Sequence, residues 1–354
     1  FKELLMPFLL CWLTLNFIFM AGYLVKAANL IIGRGVPLLE TLYVLFLALP
    51  EMISYTVPIS ILTAILIVYG NFSQNNEIRA VKASGIHPFF VIVPALLVGL
   101  ALSFVMFIFN DQITSNAGFL LRRITKQLVV KHPQALIEPG RSKTLNENIT
   151  FFTRELNGNF MKDIVIYENE GSETPVRTIV AESGEIIPVQ GGQDAKVRLY
   201  NGSVSDAEDK GVQAVHFKTF WFALLGRSEF KNLRKKMRDF TLAELLVKYE
   251  TESAVLSEED KRELWAAFHN RIAFAFGSFI FVFIGIPIAI LVRRGEIALS
   301  FAISMAMACL YYILFVGAKT LSIRGFMPPF FAFWLPNIML IAVGVYLMRR
   351  SILS

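Results

Sequence analysis

The sequence has little cysteine and little histidine. Its 354 residues include two cysteines, Cys11 and Cys309, and both lie inside apolar runs. Cysteines in such runs are expected to be small buried hydrophobes, which argues against a disulfide framework or a thiolate zinc site. The four histidines, at positions 87, 132, 216 and 269, are scattered without the spacing of metal ligands. We therefore expect no metal and no other cofactor.

Charge is scarce as well. Charged residues make up 18% of the chain and apolar residues 55%, whereas a soluble domain has about 25% charged and about 45–50% apolar residues. A membrane protein is therefore the first expectation. The net charge of +6 does not require nucleic acid as a partner, because basic loops and contacts with lipid head groups produce the same excess.

The signature motifs of catalysis are missing too. The chain has no glycine-rich phosphate loop, no G-x-S-x-G and no H-E-x-x-H. Its apolar runs show no paired acids, histidine cluster or catalytic dyad. We expect a non-catalytic protein, so that any ATP hydrolysis must come from a separate chain. The first residue is Phe1, and the true N-terminus is expected slightly upstream.

Long apolar runs are what the sequence does contain. A helix needs about 20 mostly apolar residues to cross a bilayer, and six segments qualify: 4–25, 41–70, 88–110, 272–292, 297–318 and 325–348. The first is too long for the apolar part of a typical signal peptide, in spite of a weak Val25-x-Ala27 cleavage pattern. The spans form two groups of three, separated by residues 111–270.

The distribution of basic residues indicates the orientation. Six spans place both termini on one side of the membrane, and the positive-inside rule selects that side. With the N-terminus in the cytoplasm, seven basic residues fall inside: Lys2, Arg79, Lys82, Arg293, Arg294, Arg349 and Arg350. Four fall outside: Lys26, Arg34, Lys319 and Arg324. Both termini are therefore expected in the cytoplasm, and the long segment between spans three and four on the outer side.

That outer segment has the pattern of a β domain. Between about residues 148 and 230 the apolar residues change to period two and are interrupted by turn residues. Asn-Gly pairs at 157–158 and 201–202 predict hairpins. An antiparallel sandwich or roll is expected, with helices before and after it and a solvated basic run at 230–240. The expected organisation is helices one to three in 1–113, an outer domain in 114–268 and helices four to six in 269–354.

A short charged helix is predicted between the second and third spans, at about residues 73–85. Ser73 fits an N-cap and Gly85 a C′ position, and an acid in the first turn and a lysine near the last complement the helix dipole. Such a helix either lies in the lipid interface or docks into a groove of a soluble partner. Its apolar face carries only Ile78 and Val81, which favours docking.

Three charged residues near the outer ends of the first two spans are candidates for substrate contacts. Glu51 lies about a quarter of the way into the second apolar run, where it forms either a structural ion pair or part of a polar pathway. Lys26 and Arg34 follow the first run. They either snorkel to the interface or contact an anionic substrate as it leaves the membrane, and the residues alone favour snorkelling.

Several stretches carry a family resemblance: FKELLMPF at the start, PEMISYTVPIS in span two, NNEIRAVKASGI after it, NRIAFAFGSFIFVFIGIPIAI in span four and MPPFFAFWLPN at span six. The most specific is E-I-x-A-x-K-A-S-G, which begins at Glu77. The other stretches are mostly hydrophobic pattern. Together with the order of three spans, an outer β domain and three spans, they make the whole chain resemble the LptF/LptG family of lipopolysaccharide export permeases.

The resemblance implies a polytopic α-helical protein of the bacterial inner membrane, with six transmembrane helices and an inserted periplasmic jellyroll-like β domain. Members of the family pair as LptF and LptG around a dimer of the ATPase LptB. Lipopolysaccharide enters a cavity between the two permeases through gates formed by spans one and five, and passes to the periplasmic domains, LptC and LptA. The stretch Pro50-Glu51-Met52, followed by Pro58, is more similar to the LptF half.

The resemblance also implies roles for individual residues. Glu77 matches the coupling-helix acid that meets the ATPase. The same coupling surface takes in Ile78, Arg79, Val81, Lys82 and Gly85. Lys26 falls in the basic region of span one that faces lipopolysaccharide phosphates, which reverses the preference for snorkelling. Arg34 and Glu51 are the other candidates for substrate binding.

Two other classes of protein stay open at this stage. A permease of another ABC exporter, such as a lipoprotein-releasing type, usually has four spans and not six. A membrane-bound sensor or enzyme with an outer ligand-binding domain is expected to show a catalytic constellation within its spans. Recovery of an ATPase and a second, similar permease on purification would distinguish the lipopolysaccharide permease from both.

Overall fold

The computed structural model describes residues 2–32, 36–131, 139–146, 149–168, 177–187, 195–208, 211–225, 235–293 and 295–353. The chain divides into two compact units. The helical unit comprises Phe1–Gly22, Leu47–Phe119 and Lys235–Ser354. The β unit comprises Tyr23–Phe46 and Leu120–Arg234.

Most of the described residues are helical. The α-helices are α1 (Lys2–Ile32), α2 (Leu38–Gln74), α3 (Glu77–Ala83), α4 (Phe89–Ile108), α5 (Ser115–Lys131), α6 (Leu242–Glu252), α7 (Glu258–Ala275), α8 (Gly277–Val292), α9 (Ile297–Ile323) and α10 (Pro329–Met348). A π-helical turn, Phe109–Thr114, joins α4 to α5 without a break, and a 3₁₀ turn, Met237–Asp239, precedes α6. A further π-helical turn, Arg349–Leu353, follows α10.

The helices account for the apolar runs of the sequence. Five described helical segments are long and apolar enough to cross a membrane: in α1, in α2, across α4 and α5, in α9 and in α10 with the turn that follows it. The pair α7 and α8 makes a sixth span if its 40° bend is counted as a break within one span. The predicted polytopic helical architecture is therefore confirmed. The second span is longer than predicted, since α2 has 37 residues and continues through Pro50 and Pro58.

Close helix packing forms the centre of the helical unit. Ile61, Leu62 and Ile65 on α2 and Phe281 on α8 are all 2% exposed or less. Small residues allow the helices to approach, as membrane helices commonly require. A Cβ atom on Gly99 would stand 3.0 Å from the Cβ of Val282, so α4 and α8 pack with almost no space between them.

The bend between α7 and α8 leaves backbone groups that neighbouring helices bind. The N–H of Phe279, in the first turn of α8, donates to the hydroxyl of Ser103 at 2.9 Å. The carbonyl of Ala273, in the last turn of α7, accepts from the side-chain amide of Asn337 at 3.0 Å. Backbone groups freed by a break are costly inside a membrane unless they find partners. A side chain of α4 thus binds the backbone on the α8 side of the bend, and a side chain of α10 binds it on the α7 side.

The β unit contains six described strands in one antiparallel sheet: β1 (Lys143–Asn146), β2 (Ile149–Asn157), β3 (Phe160–Glu168), β4 (Arg177–Ile187), β5 (Ala195–Glu208) and β6 (Gly211–Leu225). The strands pair in chain order, as a meander. The β domain expected from the sequence is present in this form. Alternate residues such as Phe151, Ile164, Ile179 and Leu199 are at most 2% exposed and pack as one core.

One of the two predicted hairpins is present and the other is not. Asn157 pairs with Phe160, and Gly158 between them has φ +61°, so the first Asn-Gly pair forms a tight turn. The prediction for the second pair is wrong, because β5 continues through Asn201 and Gly202, although Asn201 has φ +48°. A Cβ at position 202 would collide with the carbonyl oxygen of Val180 on β4. The glycine is therefore needed for close strand approach, and the two long strands β5 and β6 are joined further along.

Candidate functional site

The short helix α3 turns its apolar side chains inward and its charges outward. Ile78 is 8% exposed and belongs to the core of the helical unit. Val81, three residues later on the same face, is half-buried. Glu77, Arg79 and Lys82 are all exposed. The helix is thus held by one apolar anchor, and its three charged side chains are accessible to a partner.

Glycine ends α3 as the sequence predicts. Gly85 has φ +78°, a left-handed conformation that side chains disfavour. Its N–H donates to the carbonyl of Lys82 at 3.1 Å, and the N–H of Ile86 donates to the carbonyl of Val81 at 3.3 Å. These two bonds form a Schellman motif, which satisfies carbonyls at the helix end. The chain consequently turns sharply towards α4.

The beginning of α3 differs from the prediction. The assignment of Ser73 as N-cap is wrong, because α2 continues to Gln74 and the helix begins only at Glu77. Asn76 occupies the cap position with φ +59°. The hydroxyl of Ser73 instead donates to the carbonyl of Ile290 on α8, at 2.9 Å. The predicted helix of residues 73–85 is thereby shortened to seven residues, and Ser73 joins α2 to α8.

The end of α2, which leads into α3, makes further contacts with neighbouring elements. The hydroxyl of Tyr69, near the end of α2, donates to the carbonyl of Val91 on α4 at 2.8 Å. Gly295, between α8 and α9, lies so close to the side chain of Asn71 that a Cβ atom would not fit. The segment that carries the exposed charges is therefore attached to α4, α8 and the α8–α9 connection.

The predicted substrate contacts are placed less completely. Glu51 lies within α2 and its side chain is exposed. Lys26 lies on α1, but its side chain is outside what the structure describes, and Arg34 lies outside the described residues altogether. The same holds for His132 and Arg294. In the described structure the predicted coupling residues from Glu77 to Lys82 lie together on α3, and Gly85 follows its end. Of the three predicted substrate contacts, only Glu51 has a described side chain.

A seam of hydroxyl and amide groups on α2, which the sequence analysis missed, joins the helices. The side-chain amide of Asn16 on α1 donates to the hydroxyl of Thr56 at 3.0 Å. The hydroxyl groups of Thr63 and Ser304, on α2 and α9, lie 2.7 Å apart. Polar contacts of this kind hold helices together where lipid provides no hydrophobic driving force. Thr56 and Thr63 are seven residues, or about two helical turns, apart, and this spacing is the signal in the sequence that indicates a polar face on α2.

A buried ion pair was also missed. The carboxylate of Asp111, in the π-helical turn after α4, accepts from the Arg271 guanidinium on α7 at 2.7 Å. Their side chains are 11% and 7% exposed. The same Asp111 oxygen accepts from the N–H of Leu242, the first residue of α6, at 2.8 Å. One carboxylate therefore joins α4, α7 and the start of α6.

The segment before α6 carries a second, more exposed pair. The ammonium of Lys235 lies 2.7 Å from a carboxylate oxygen of Glu244. Partial burial opposes the charge of Glu244, but the bonds from Lys235 and from the backbone and side chain of Thr241 outweigh it and lower the pKa of that carboxyl. The expected solvated basic run is thus wrong for Lys235, whose side chain is 23% exposed. Lys231 and Arg234 of that run lie outside the described residues.

The β unit has an open cleft of about 580 Å³ on its sheet. Its lining is mixed, with apolar side chains from the central strands and polar ones such as Asn201 and His216. The ion pair between Arg154 and Asp163, at 3.3 Å, lies at the cleft, and both side chains are more than half exposed. Among the described residues, no group of three or more histidines, cysteines, aspartates or glutamates is arranged to hold a metal ion.

Comparisons with known proteins give a family match over nearly the whole chain. A family described as lipopolysaccharide export system permease LptF/LptG matches residues 1–350. The chain is also similar to the uncharacterized protein RP871 of Rickettsia prowazekii (strain Madrid E), with 23% identity over 253 residues. That alignment covers 70% of this chain and 68% of the Rickettsia protein.

Proposed function

The chain belongs to the LptF/LptG family of lipopolysaccharide export permeases, and we propose that it forms one half of an ABC exporter whose ATPase is a separate chain. The family and the apolar helices make it a permease of the inner membrane. We assign it to the LptF-like half, on the stretch from Pro50 to Met52. Its partners are then a homologous LptG-like permease and a dimer of LptB-type ATPases.

The observation that carries this proposal is the construction of α3. A helix with one buried anchor and three exposed charges is suited to a groove on a soluble partner. Glu77 at its first position is exposed in this chain, so a partner that buries it gains a charge-assisted hydrogen bond. Such a bond contributes about 1.5–3 kcal/mol. Arg79 and Lys82 extend the same contact surface.

The contacts at the end of α2, just before α3, give a route by which a displacement of α3 is transmitted to the membrane helices. Ser73 is bonded to Ile290 at the end of α8, and Tyr69 to Val91 at the start of α4. A displacement of α3 by the ATPase therefore moves two spans at their ends. Because these contacts are hydrogen bonds to backbone carbonyls, they do not depend on the identity of the accepting side chains.

We assign substrate contacts to Lys26, Arg34 and Glu51. Lipid A phosphates are anionic, and a lysine or arginine at the outer end of the first span meets them as they leave the outer leaflet. Glu51, exposed on α2, is assigned to the polar path along which the sugar and phosphate groups move.

The orientation follows from the positive-inside rule. We place both termini and α3 in the cytoplasm, where the ATPase is, and the β unit in the periplasm. The β unit then receives lipopolysaccharide and passes it to an LptC-type protein with a single membrane span and to the periplasmic bridge. ATP hydrolysis stays with the separate chain, so this protein needs no catalytic residue.

Co-purification tests the proposal. The tagged chain, extracted from its native membrane in mild detergent, is expected to bring with it an ATPase and a second permease of similar length. The Glu77→Lys variant is the matched control, since it should lose the ATPase and retain the second permease. A wild-type preparation with neither partner would show that the chain is not an exporter half.

A further inference from the structure

The long helix that leaves the third span contains a π-helical turn, Phe109–Thr114. A π turn inserts one extra residue into a helix and is frequent at functional sites. Here it carries Asn110 and Asp111, which are both 8% exposed. An aspartate buried at this depth needs partners that stabilise its charge, and those partners come from distant parts of the chain.

Asp111 is bonded on both of its oxygens. One accepts from Arg271 and from the N–H of Leu242, at 2.7 and 2.8 Å, and the other accepts from the side chain of Gln112 at 3.0 Å. The second guanidinium nitrogen of Arg271 donates to the carbonyl of Arg238 at 3.1 Å. Together Asp111 and Arg271 hold residues 238 and 242, the two ends of a short return segment that we define as residues 238–242.

This arrangement is more than a means of holding the fold together. A buried ion pair gains little stability over apolar side chains of the same volume, because each charge must first leave water. What the ion pair adds is a fixed geometry, since a carboxylate and a guanidinium bind each other only within a narrow range of orientations. Asp111 and Arg271 therefore define the position of the return segment relative to α4 and α7 more narrowly than apolar packing would.

The pair also lies on a line of contacts through the helical unit. Ser73, next to α3, is bonded to Ile290 near the end of α8. α8 continues across the bend at Phe276 into α7, which carries Arg271. The chain returns to the helical unit at Lys235, three residues before the return segment. Through Asp111 and Arg271, a movement of α7 and α8 would therefore reach this segment.

We propose that Asp111 and Arg271 are positioning residues of the export cycle, which transmit the movement of α7 and α8 to the return segment and so control the release of substrate. This inference rests on the proposed function. Neither residue contacts nucleotide in this proposal, so their loss leaves ATP hydrolysis intact. What is lost is lipopolysaccharide release for each ATP hydrolysed.

The experiment uses the complete complex of ATPase, both permeases and LptC-type protein in proteoliposomes. Release of fluorescent lipopolysaccharide to a soluble bridge protein and ATP hydrolysis are measured in the same sample, and thermal unfolding of the complex is measured separately. The variants are Asp111→Asn, Arg271→Gln and the double variant that carries both. Each single variant leaves one buried charge alone and is expected to lower Tm, whereas the double variant leaves none and should regain most of it.

The double variant decides the matter. We expect its release per ATP to be at least tenfold below that of the wild type, with ATP hydrolysis within twofold and a nearly normal Tm. Lys261→Ala, which removes an exposed 2.8 Å ion pair from the same helix, should match the wild type in all three measurements. Should the double variant fail to assemble, Arg271→Lys keeps the charge and loses the bond to Arg238, and a threefold to tenfold drop at normal Tm is expected.

Two outcomes would count against the idea, and they differ. Wild-type release per ATP in the double variant, or in Arg271→Lys where that variant is used, would show that the pair is merely structural, and the positioning role would be overturned. A wild-type complex that hydrolyses ATP and releases no lipopolysaccharide would overturn the proposed function, and the positioning role with it.

Discussion

The hydroxyl of Tyr311 on α9 donates to the side-chain oxygen of Asn337 on α10 at 3.0 Å, and both residues are 1% exposed or less. The amide nitrogen of Asn337 in turn donates to the carbonyl of Ala273, just before the bend between α7 and α8. One amide therefore satisfies a buried hydroxyl and a buried backbone carbonyl at once. This relationship connects the last two spans to the bend in the fourth.

Substitution of this pair should destabilise the helical unit in proportion to the groups left unpaired. Each buried polar group without a partner costs about 1–3 kcal/mol. Asn337→Ala leaves two such groups and should lower Tm more than Tyr311→Phe, which leaves one. Thr320→Ala, which removes an exposed bond within α9, is the control. An Asn337→Ala protein as stable as this control would show that the amide is unimportant for the bend.

Reversal of the charge on α3 should uncouple the ATPase. Glu77→Lys is expected to weaken binding of the ATPase by at least tenfold, because a contact of about 1.5–3 kcal/mol is replaced by repulsion. Lipopolysaccharide release from proteoliposomes should fall with it. Glu296→Lys reverses an exposed acid at the start of α9 and serves as control. Equal effects of the two reversals would indicate a general charge effect instead of docking.

The orientation can be tested by thiol labelling in spheroplasts. In a Cys309→Ser background, a cysteine at Lys162 should react with a membrane-impermeant reagent, and one at Ser84 should react only after the membrane is opened. Both positions are exposed, at a β3 strand and at the end of α3. The reagent cannot cross the bilayer, so reactivity reports the side of the membrane. Labelling in the opposite sense would invert the proposed topology.

Lys26 is predicted to contact lipopolysaccharide. A photoreactive residue at position 26 should crosslink to lipopolysaccharide, whereas one at the exposed Val25 should favour bulk lipid. Lysine meets phosphate as a compact charge, so Lys26→Arg should retain part of the transport and Lys26→Glu very little. A snorkelling lysine predicts normal transport by Lys26→Gln and no crosslink, and this pair of results would remove Lys26 from the substrate path.

Alanine at Gly202 should disrupt the sheet of the β unit. Its Cβ would meet the backbone of β4, which cannot move aside as a flexible side chain can. Overpacking of this kind costs about 1–3 kcal/mol. Glu155→Ala, which removes an exposed side chain of β2 and its 3.5 Å ion pair with Lys162, should cost about 0.5 kcal/mol or less. Limited proteolysis of the β unit in the purified protein compares the two. Similar cleavage rates would show that the strands accommodate the added methyl group.

Local pattern was sufficient for much of this architecture. The apolar runs predicted the spans because a bilayer demands about 20 apolar residues in a row. Alternation predicted the strands, and the glycines at 85 and 158 predicted turns, since both have positive φ where other residues are strained. Each of these features depends on residues within one helical or strand segment, so the sequence contains the whole signal.

Partner choice over long distances was decided by the tertiary structure. Ser73 is a residue type that favours the N-cap position, but its hydroxyl donates to the carbonyl of Ile290 and α2 continues past it. The second Asn-Gly pair is a sequence that favours a turn, but the pairing of β5 with β4 and with β6 keeps it inside the strand. In both cases contacts from distant elements outweigh a local preference of about 1 kcal/mol.

The ion pair of Asp111 and Arg271 shows most plainly what could not be predicted from the sequence. The sequence by itself determined that this chain has several membrane-spanning helices, an inserted β domain and a charged helix between two spans, because each of these follows from the solvent that a segment must face. Only the fold brought together two charges 160 residues apart. Their pairing depends on where α4 and α7 meet, and no local pattern contains that distance.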